Sequence, residues 1–343
     1  MLNYRAPWWL PGGNLQTIWP ALAARRFEGP APCWRRERWA TPDGDFVDLD
    51  WLDDRPPPPA PATGCKPKPK PSPAAPVRPL LVLFHGLEGS SRSHYAQAFA
   101  DVARQRGLAF VVPHFRGCSG ELNHAPRAYH SGDHEEVGWI LARLRERHAG
   151  PLLAVGVSLG GNALMRWAAQ AGSQARRGAD AVAAVSAPLD LAAGARAIGR
   201  GFNRWVYTAM FLRSMKPKAL SKLAQHPGLF DREALLAVRD LYAFDNLFTA
   251  PLHGFRDADD YYARASAAPQ LHHIRIPALL LNARNDPFVP AHSLPSAREA
   301  GPWVTLWQPP HGGHVGFPAG APPGHVLRMP KAVTDWLLER SAG

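Results

Sequence analysis

Six short, almost uninterrupted apolar runs, at residues 80–84, 109–113, 151–157, 181–186, 277–281 and 303–307, constrain this chain more than anything else in it. A run of that length without polar alternation suits a strand buried on both faces, because an alternating strand would leave one face wet. Helical patterns fall between the runs. Residues 93–106 stop at Gly107, residues 133–148 follow a cap at Ser131 or Asp133, and residues 159–170 and 326–340 complete the set. Strands alternating with helices predict an α/β fold, a mostly parallel central sheet with helices on both faces. At 46% hydrophobic residues, the 343-residue chain can bury a core of that size.

Ahead of this alternation, residues 33–40 and 46–51 flank Thr41–Pro42–Asp43–Gly44–Asp45, a strong turn sequence, and predict a β-hairpin. Val47, Leu49 and Trp51 alternate with Asp48 and Asp50, which predicts one wet face. Residues 55–79 carry four consecutive prolines and a Lys-Pro repeat, and are expected to form an exposed, extended loop, because proline fixes φ and offers no N–H. Residues 190–265 break the strand–helix rhythm with a helical, aromatic-rich stretch, expected to be a cap inserted after a core strand. Within it Phe202, Trp205, Val206, Tyr207, Met210, Phe211 and Leu212 are dense enough either to pack the cap on the core or to line an acyl tunnel. The whole of 1–343 reads as a single domain with that insertion.

The net charge of +11 invites a nucleic-acid reading, but the arginines are interleaved with acids, and no RNP, zinc-finger or P-loop signature accompanies them. No nucleic-acid partner is expected. Cys33, Cys65 and Cys118 are an odd set without metal-binding spacing, read as free thiols in a reducing compartment. Residues 1–20 lack the pattern of a signal peptide, and no apolar stretch reaches the length of about 18 needed to span a bilayer. A cytoplasmic protein without stable membrane insertion is expected. Trp8, Trp9, Leu10, Ile18 and Trp19 are read as covering the core, with peripheral membrane contact as the alternative.

The chemistry is carried by Gly156–Val157–Ser158–Leu159–Gly160, a G-x-S-x-G motif between a buried strand and a helix. That context makes Ser158 the expected nucleophile, presented on a sharp turn at the start of a helix. A serine hydroxyl needs a base, and in this arrangement the chain order is serine, acid, histidine. Asp286 follows one late strand and His314 the next, and these are the expected acid and base. Asp190 and His311 are the rivals for the two roles. The oxyanion is expected to meet the backbone N–H groups of Leu159 and of Leu87, in the loop after the first long buried strand. His85 reads as a structural hydrogen-bonder and Cys118 as part of a turn. The pairs His311/His314 and His272/His273 lack a third ligand at diagnostic spacing, so no metal is expected.

Several longer strings together resemble the YheT-like α/β hydrolases, relatives of the abhydrolase-domain lipases and the yeast medium-chain ester synthases/esterases. They are Gly13–Asn14–Leu15–Gln16–Thr17, His85–Gly86–Leu87–Glu88–Gly89–Ser90, Phe115–Arg116–Gly117–Cys118–Ser119–Gly120, Ser158–Leu159–Gly160–Gly161–Asn162, residues 255–262 and residues 311–317. The resemblance implies the α/β-hydrolase fold, a triad of Ser158, Asp286 and His314, no cofactor, and esterase, lipase or acyltransferase activity on short or medium acyl chains. Val157 stands where the family often has a polar residue, and the proline-rich segment is unusual for it. The function expected is hydrolysis of a small-molecule or lipid-like carboxylic ester through an acyl-enzyme. Acyl transfer to an alcohol, or a non-catalytic binding role on the same scaffold, are the alternatives. Oligomeric state is not encoded in any of these motifs.

Overall fold

The computed structural model describes residues 3–53 and 77–342. Residues 55–76 of the expected proline-rich loop, with Cys65, lie outside the described residues.

Eight strands form one sheet: β1 (Trp34–Ala40), β2 (Phe46–Leu52), β3 (Leu80–Phe84), β4 (Ala109–Pro113), β5 (Leu152–Val157), β6 (Ala181–Val185), β7 (Ala278–Leu281) and β8 (Val304–Trp307). Their spatial order is β1-β2-β4-β3-β5-β6-β7-β8, with β1 and β2 antiparallel at one edge and the rest parallel. Period-two geometry splits each central strand between two cores. Leu80, Val82 and Phe84 of β3 pack with Val137, Ile140 and Leu164, whereas Leu81 and Leu83 pack with Phe99, Val333 and Trp336. Helices α2 (His94–Gln105), α3 (His134–Arg147) and α4 (Leu159–Ala171) and the C-terminal helix Arg328–Ser341 supply the covering layers. This is the sheet expected from the alternation of apolar runs, with strand ends within a residue or so of those read from sequence.

Two features differ from expectation. Asp48 and Asp50 of β2 do not face water, being 1% and 3% exposed. Both carboxylates receive bidentate arginine contacts from β1, Arg38 on Asp48 and Arg36 on Asp50, and Asp50 also bonds His114 and Ser91. Pairing removes the cost of burying the charge, so alternation no longer reports a wet face. The second difference is α1 (Gly12–Leu22), a helix in a stretch to which the sequence reading assigned no element.

Between β6 and β7 the chain from Leu191 to Ala265 contains helices and no strand, including α5 (Leu191–Ile198) and a long helix, Ala209–Gln225. Lys222, 2% exposed, fastens that long helix to the loop after β4 by donating to the carbonyls of Asn123 and Ala125 at 2.6 and 2.9 Å. Among the described residues no helix is long and apolar enough to cross a membrane.

Candidate active site

Ser158 sits between β5 and α4 at φ 53°, ψ −119°. Positive φ is unfavourable for a side-chain-bearing residue, and the turn exists because the residues two positions before and after it are Gly156 and Gly160. A Cβ on Gly156 would stand 2.3 Å from the Gly160 carbonyl oxygen, and one on Gly160 would stand 2.4 Å from that of Phe84. The motif therefore encodes a backbone approach that larger residues prevent.

The His314 ring lies 3.0 Å from Ser158 Oγ through Nε2 and 2.9 Å from Asp286 Oδ2 through Nδ1. Asp286 is fully enclosed at its side chain, and its Oδ1 accepts the N–H groups of Phe288 and Val289 at 2.8 and 3.2 Å. Those bonds hold the carboxylate at one orientation, and the carboxylate in turn selects the tautomer with the proton on Nδ1, leaving Nε2 to accept from the serine. The three residues chosen from chain order are thus in one hydrogen-bonded line. The rivals lie elsewhere. Asp190 caps α5 by accepting from the Ala193 N–H at 2.9 Å, and His311 is exposed, its nearest side-chain partner being Asn285 at 3.5 Å.

The loop after β3 passes directly over the serine, since a Cβ on Gly86 would lie 3.2 Å from Ser158 Cβ. In that loop the Gly86 N–H donates to Tyr95 Oη and the Glu88 N–H to Tyr129 Oη, both at 2.9 Å. The Leu87 N–H between them, and the Leu159 N–H at the first turn of α4, have no acceptor among the described residues. His85 beneath the loop is wholly buried. Its Nε2 accepts from the Phe115 N–H at 3.1 Å, and burial holds the ring's pKa down to about 3, so it stays neutral. Cys118 is buried as well, its thiol pushed up to about 12, which leaves it protonated and unreactive.

The sequence reading gave no role to the residues that hold the histidine loop. That loop has Gly312 and Gly313 at φ 148° and 63°, and Val315 and Phe317 also at positive φ. It is clamped by α1: the Gly312 N–H donates to Gln16 Oε1 at 2.9 Å, and the His314 N–H to Thr17 Oγ1 at 2.8 Å. Asn285, next to Asp286, joins the clamp by accepting the Gly313 N–H at 3.0 Å and donating to Gln16 at the same distance. The signal was present in Gly13–Asn14–Leu15–Gln16–Thr17, conspicuous as a motif but without a partner visible in the linear chain.

A cavity of about 170 Å³ opens beside Ser158 and His314. Its walls are mostly apolar and include Ile198, Phe211, Met215, Phe244 and Phe248 from the helical insertion and Phe288, two residues past Asp286. Two polar clusters face it: Glu88 accepts from Lys218 Nζ at 2.9 Å and from Tyr129 Oη at 3.0 Å, and Asp245 accepts from Thr249 Oγ1 at 2.6 Å and from Tyr262 Oη at 2.7 Å. Trp205 is not part of the wall. It is 81% exposed, and neither it nor the half-exposed Phe202 and Met210 lines the cavity, although Phe202 sets its ring edge on Tyr207. The five-residue π-helical turn from Arg204 to Thr208 rotates the faces away from the α-helical spacing assumed from sequence.

The family model for the alpha/beta hydrolase fold matches residues 79–321. YheT of Escherichia coli (strain K12) is 40% identical over 327 residues, covering 94% of this chain and 89% of that protein. The mouse phospholipase ABHD3 is 30% identical over 314 residues, covering 90% of this chain and 72% of its own length. A monoacylglycerol lipase of Saccharomyces cerevisiae is 28% identical over 249 residues, 70% of this chain and 55% of that enzyme. Among solved structures, the esterase Pf2001 of Pyrococcus furiosus superposes with a TM-score of 0.51 at 13% identity, covering 93% of this chain and 94% of that one, a likeness of fold.

Proposed function

The chain belongs to the alpha/beta hydrolase fold family as a YheT-like member, and from that premise we propose that it hydrolyses carboxylic esters of short-to-medium acyl chains through an acyl-enzyme on Ser158. The observation that carries this reading is the line of contacts from Ser158 Oγ through the His314 ring to Asp286, opening on an apolar cavity.

In the proposed reaction His314 Nε2 takes the serine proton as Oγ attacks the ester carbonyl. The oxyanion that forms is met by the N–H groups of Leu159 and Leu87, the donors left without acceptors beside the serine. The imidazolium is stabilised by Asp286 and then gives its proton to the leaving alkoxide, releasing the alcohol. Water enters, His314 takes one of its protons, and the hydroxide attacks the acyl-serine. The second tetrahedral intermediate collapses to the acid and free Ser158, which regains its proton from His314. The first proton crosses the 3.0 Å contact between Ser158 Oγ and His314 Nε2, and the reaction as written uses only these side chains, the ester and water. Residues 190–265 act as the cap, and the apolar side chains of that segment that face the cavity hold the acyl chain.

The test is Ser158→Ala, assayed on p-nitrophenyl esters from acetate to palmitate and by labelling with a fluorophosphonate probe. We expect labelling to vanish and kcat to fall about 10⁴–10⁶-fold with the fold intact. Persistent labelling would remove Ser158 from the nucleophile role. Ethyl esters forming faster than free acid when ethanol is added would replace hydrolysis by acyl transfer, on the same acyl-enzyme.

A further inference from the structure

We propose that the outer face of the cap around Phe202–Met210, beside α1, docks on the surface of an anionic phospholipid bilayer. Four large apolar side chains are turned to solvent in this region: Trp205 at 81%, Phe202 at 53%, Met210 at 51% and Leu15 of α1 at 46% exposure. The two segments are joined, since Tyr207 Oη donates to Asn14 Oδ1 at 2.9 Å and Ile18, Val206 and Phe211 all pack against the buried group of Ile198, Tyr207, Phe288 and Val289. An exposed tryptophan in a short helical turn is poorly placed in water and well placed at a membrane interface, where its ring and its N–H find different surroundings.

The charge of the same segment selects the occupant. From residue 191 to residue 230 the sequence contains no aspartate or glutamate, while Arg196, Arg200, Arg204 and Arg213 all lie on its surface. Among the described residues none of these four arginines makes an ion pair with an acid, unlike Arg36, Arg38, Arg106, Arg116 and Arg145. Apolar side chains set among unpaired cations match a layer of anionic headgroups over acyl chains.

The position relative to the site gives docking a use. Rings run inward from the exposed face: Phe202 to Tyr207 at 6.2 Å, Tyr207 to Phe288 at 4.5 Å, and Phe288 to the His314 ring at 4.1 Å between centroids. Phe211, one residue past Met210, already lines the cavity. Docked by this face, the protein would hold its cavity beside the bilayer, where lipid-like esters reside. That use rests on the hydrolase reading; the docking does not.

Sedimentation with vesicles separates the two. Parent protein and Ser158→Ala are mixed with vesicles of phosphatidylcholine alone or of equal parts phosphatidylcholine and phosphatidylglycerol. Both proteins are expected to pellet with the anionic vesicles, less so at high salt, and not with the neutral ones. Trp205→Ser should weaken binding about tenfold, and Arg200→Ala and Arg204→Ala roughly fivefold each. All three variants should hydrolyse dissolved p-nitrophenyl acetate at the parent rate, because none of these side chains reaches the cavity. Equal binding to both vesicle types, no binding by the parent, or unaltered binding by the variants would overturn the proposal. So would a dimer seen without lipid that Trp205→Ser dissociates, which would assign the face to a second copy. Failure of the hydrolase reading would show separately, as vesicle binding without ester turnover.

Discussion

The Thr17 hydroxyl ties α1 to the main chain of His314, the proposed base. It donates to the Gly13 carbonyl at 2.7 Å and accepts the His314 main-chain N–H at 2.8 Å, so the histidine loop is fixed by a residue 297 positions away. Leaving that buried N–H without an acceptor costs about 1–3 kcal/mol, which the loop would avoid by shifting. Thr17→Val is therefore expected to lower kcat about tenfold, with KM little changed, since the cavity is untouched. Thr17→Ser should restore most of the rate. Equal losses in valine and serine variants, measured as kcat and KM on one ester, would show that the hydroxyl does not position the base. Ser158 illustrates the complementary case, a side chain whose strained backbone is imposed by its own neighbours: Gly156 and Gly160 permit the turn, and the residue types on either side make it readable without coordinates.

At the scale of elements, the hairpin at the sheet edge is more than a cover. Asp50 of β2 accepts from Arg36 of β1, from His114 after β4 and from Ser91 after the loop that carries Leu87. These donors hold its carboxyl below the usual carboxylate range despite burial. A depressed folded-state pKa means that the stabilisation is present above the unfolded value near 4 and is lost as pH falls below it. Asp50→Asn should accordingly cost about 2 kcal/mol at neutral pH, and the gap from the parent should narrow as pH drops below about 4. Thermal melts of both proteins across that range test it; a constant gap would mean that the ionised form contributes nothing special. The hairpin was legible as two strands and a turn. Its buried charges were not, because the arginines that neutralise them lie on the partner strand, where local alternation carries no information.

For the whole molecule, the question is how the insertion between β6 and β7 meets the sheet. Phe211 is in the cavity wall and Trp205 is in solvent, so the two aromatics of one short segment should behave differently. If the cavity holds the acyl chain, kcat/KM should climb up to roughly fourfold per methylene until it is full. Phe211→Ala should flatten that climb, whereas Trp205→Ala should leave it unchanged for dissolved esters. A series from acetate to decanoate on the three proteins checks this, and identical profiles would confine Phe211 to packing. The sequence by itself determined the α/β class, the strand order along the chain and the elbow around Ser158, because each depends on short-range constraints: apolar runs that fit a doubly covered sheet, and glycines that allow a close backbone approach. It also narrowed the proposed acid and base to Asp286 or Asp190 and His314 or His311, through chain order and strand ends. Only the tertiary structure decided which of those pairs touches Ser158, that α1 clamps the histidine loop, that Asp48 and Asp50 are buried, and which cap side chains face the cavity. Each of these depends on groups far apart in sequence meeting in space, and on a π-helical turn that shifts a face, neither of which leaves a local periodicity to read.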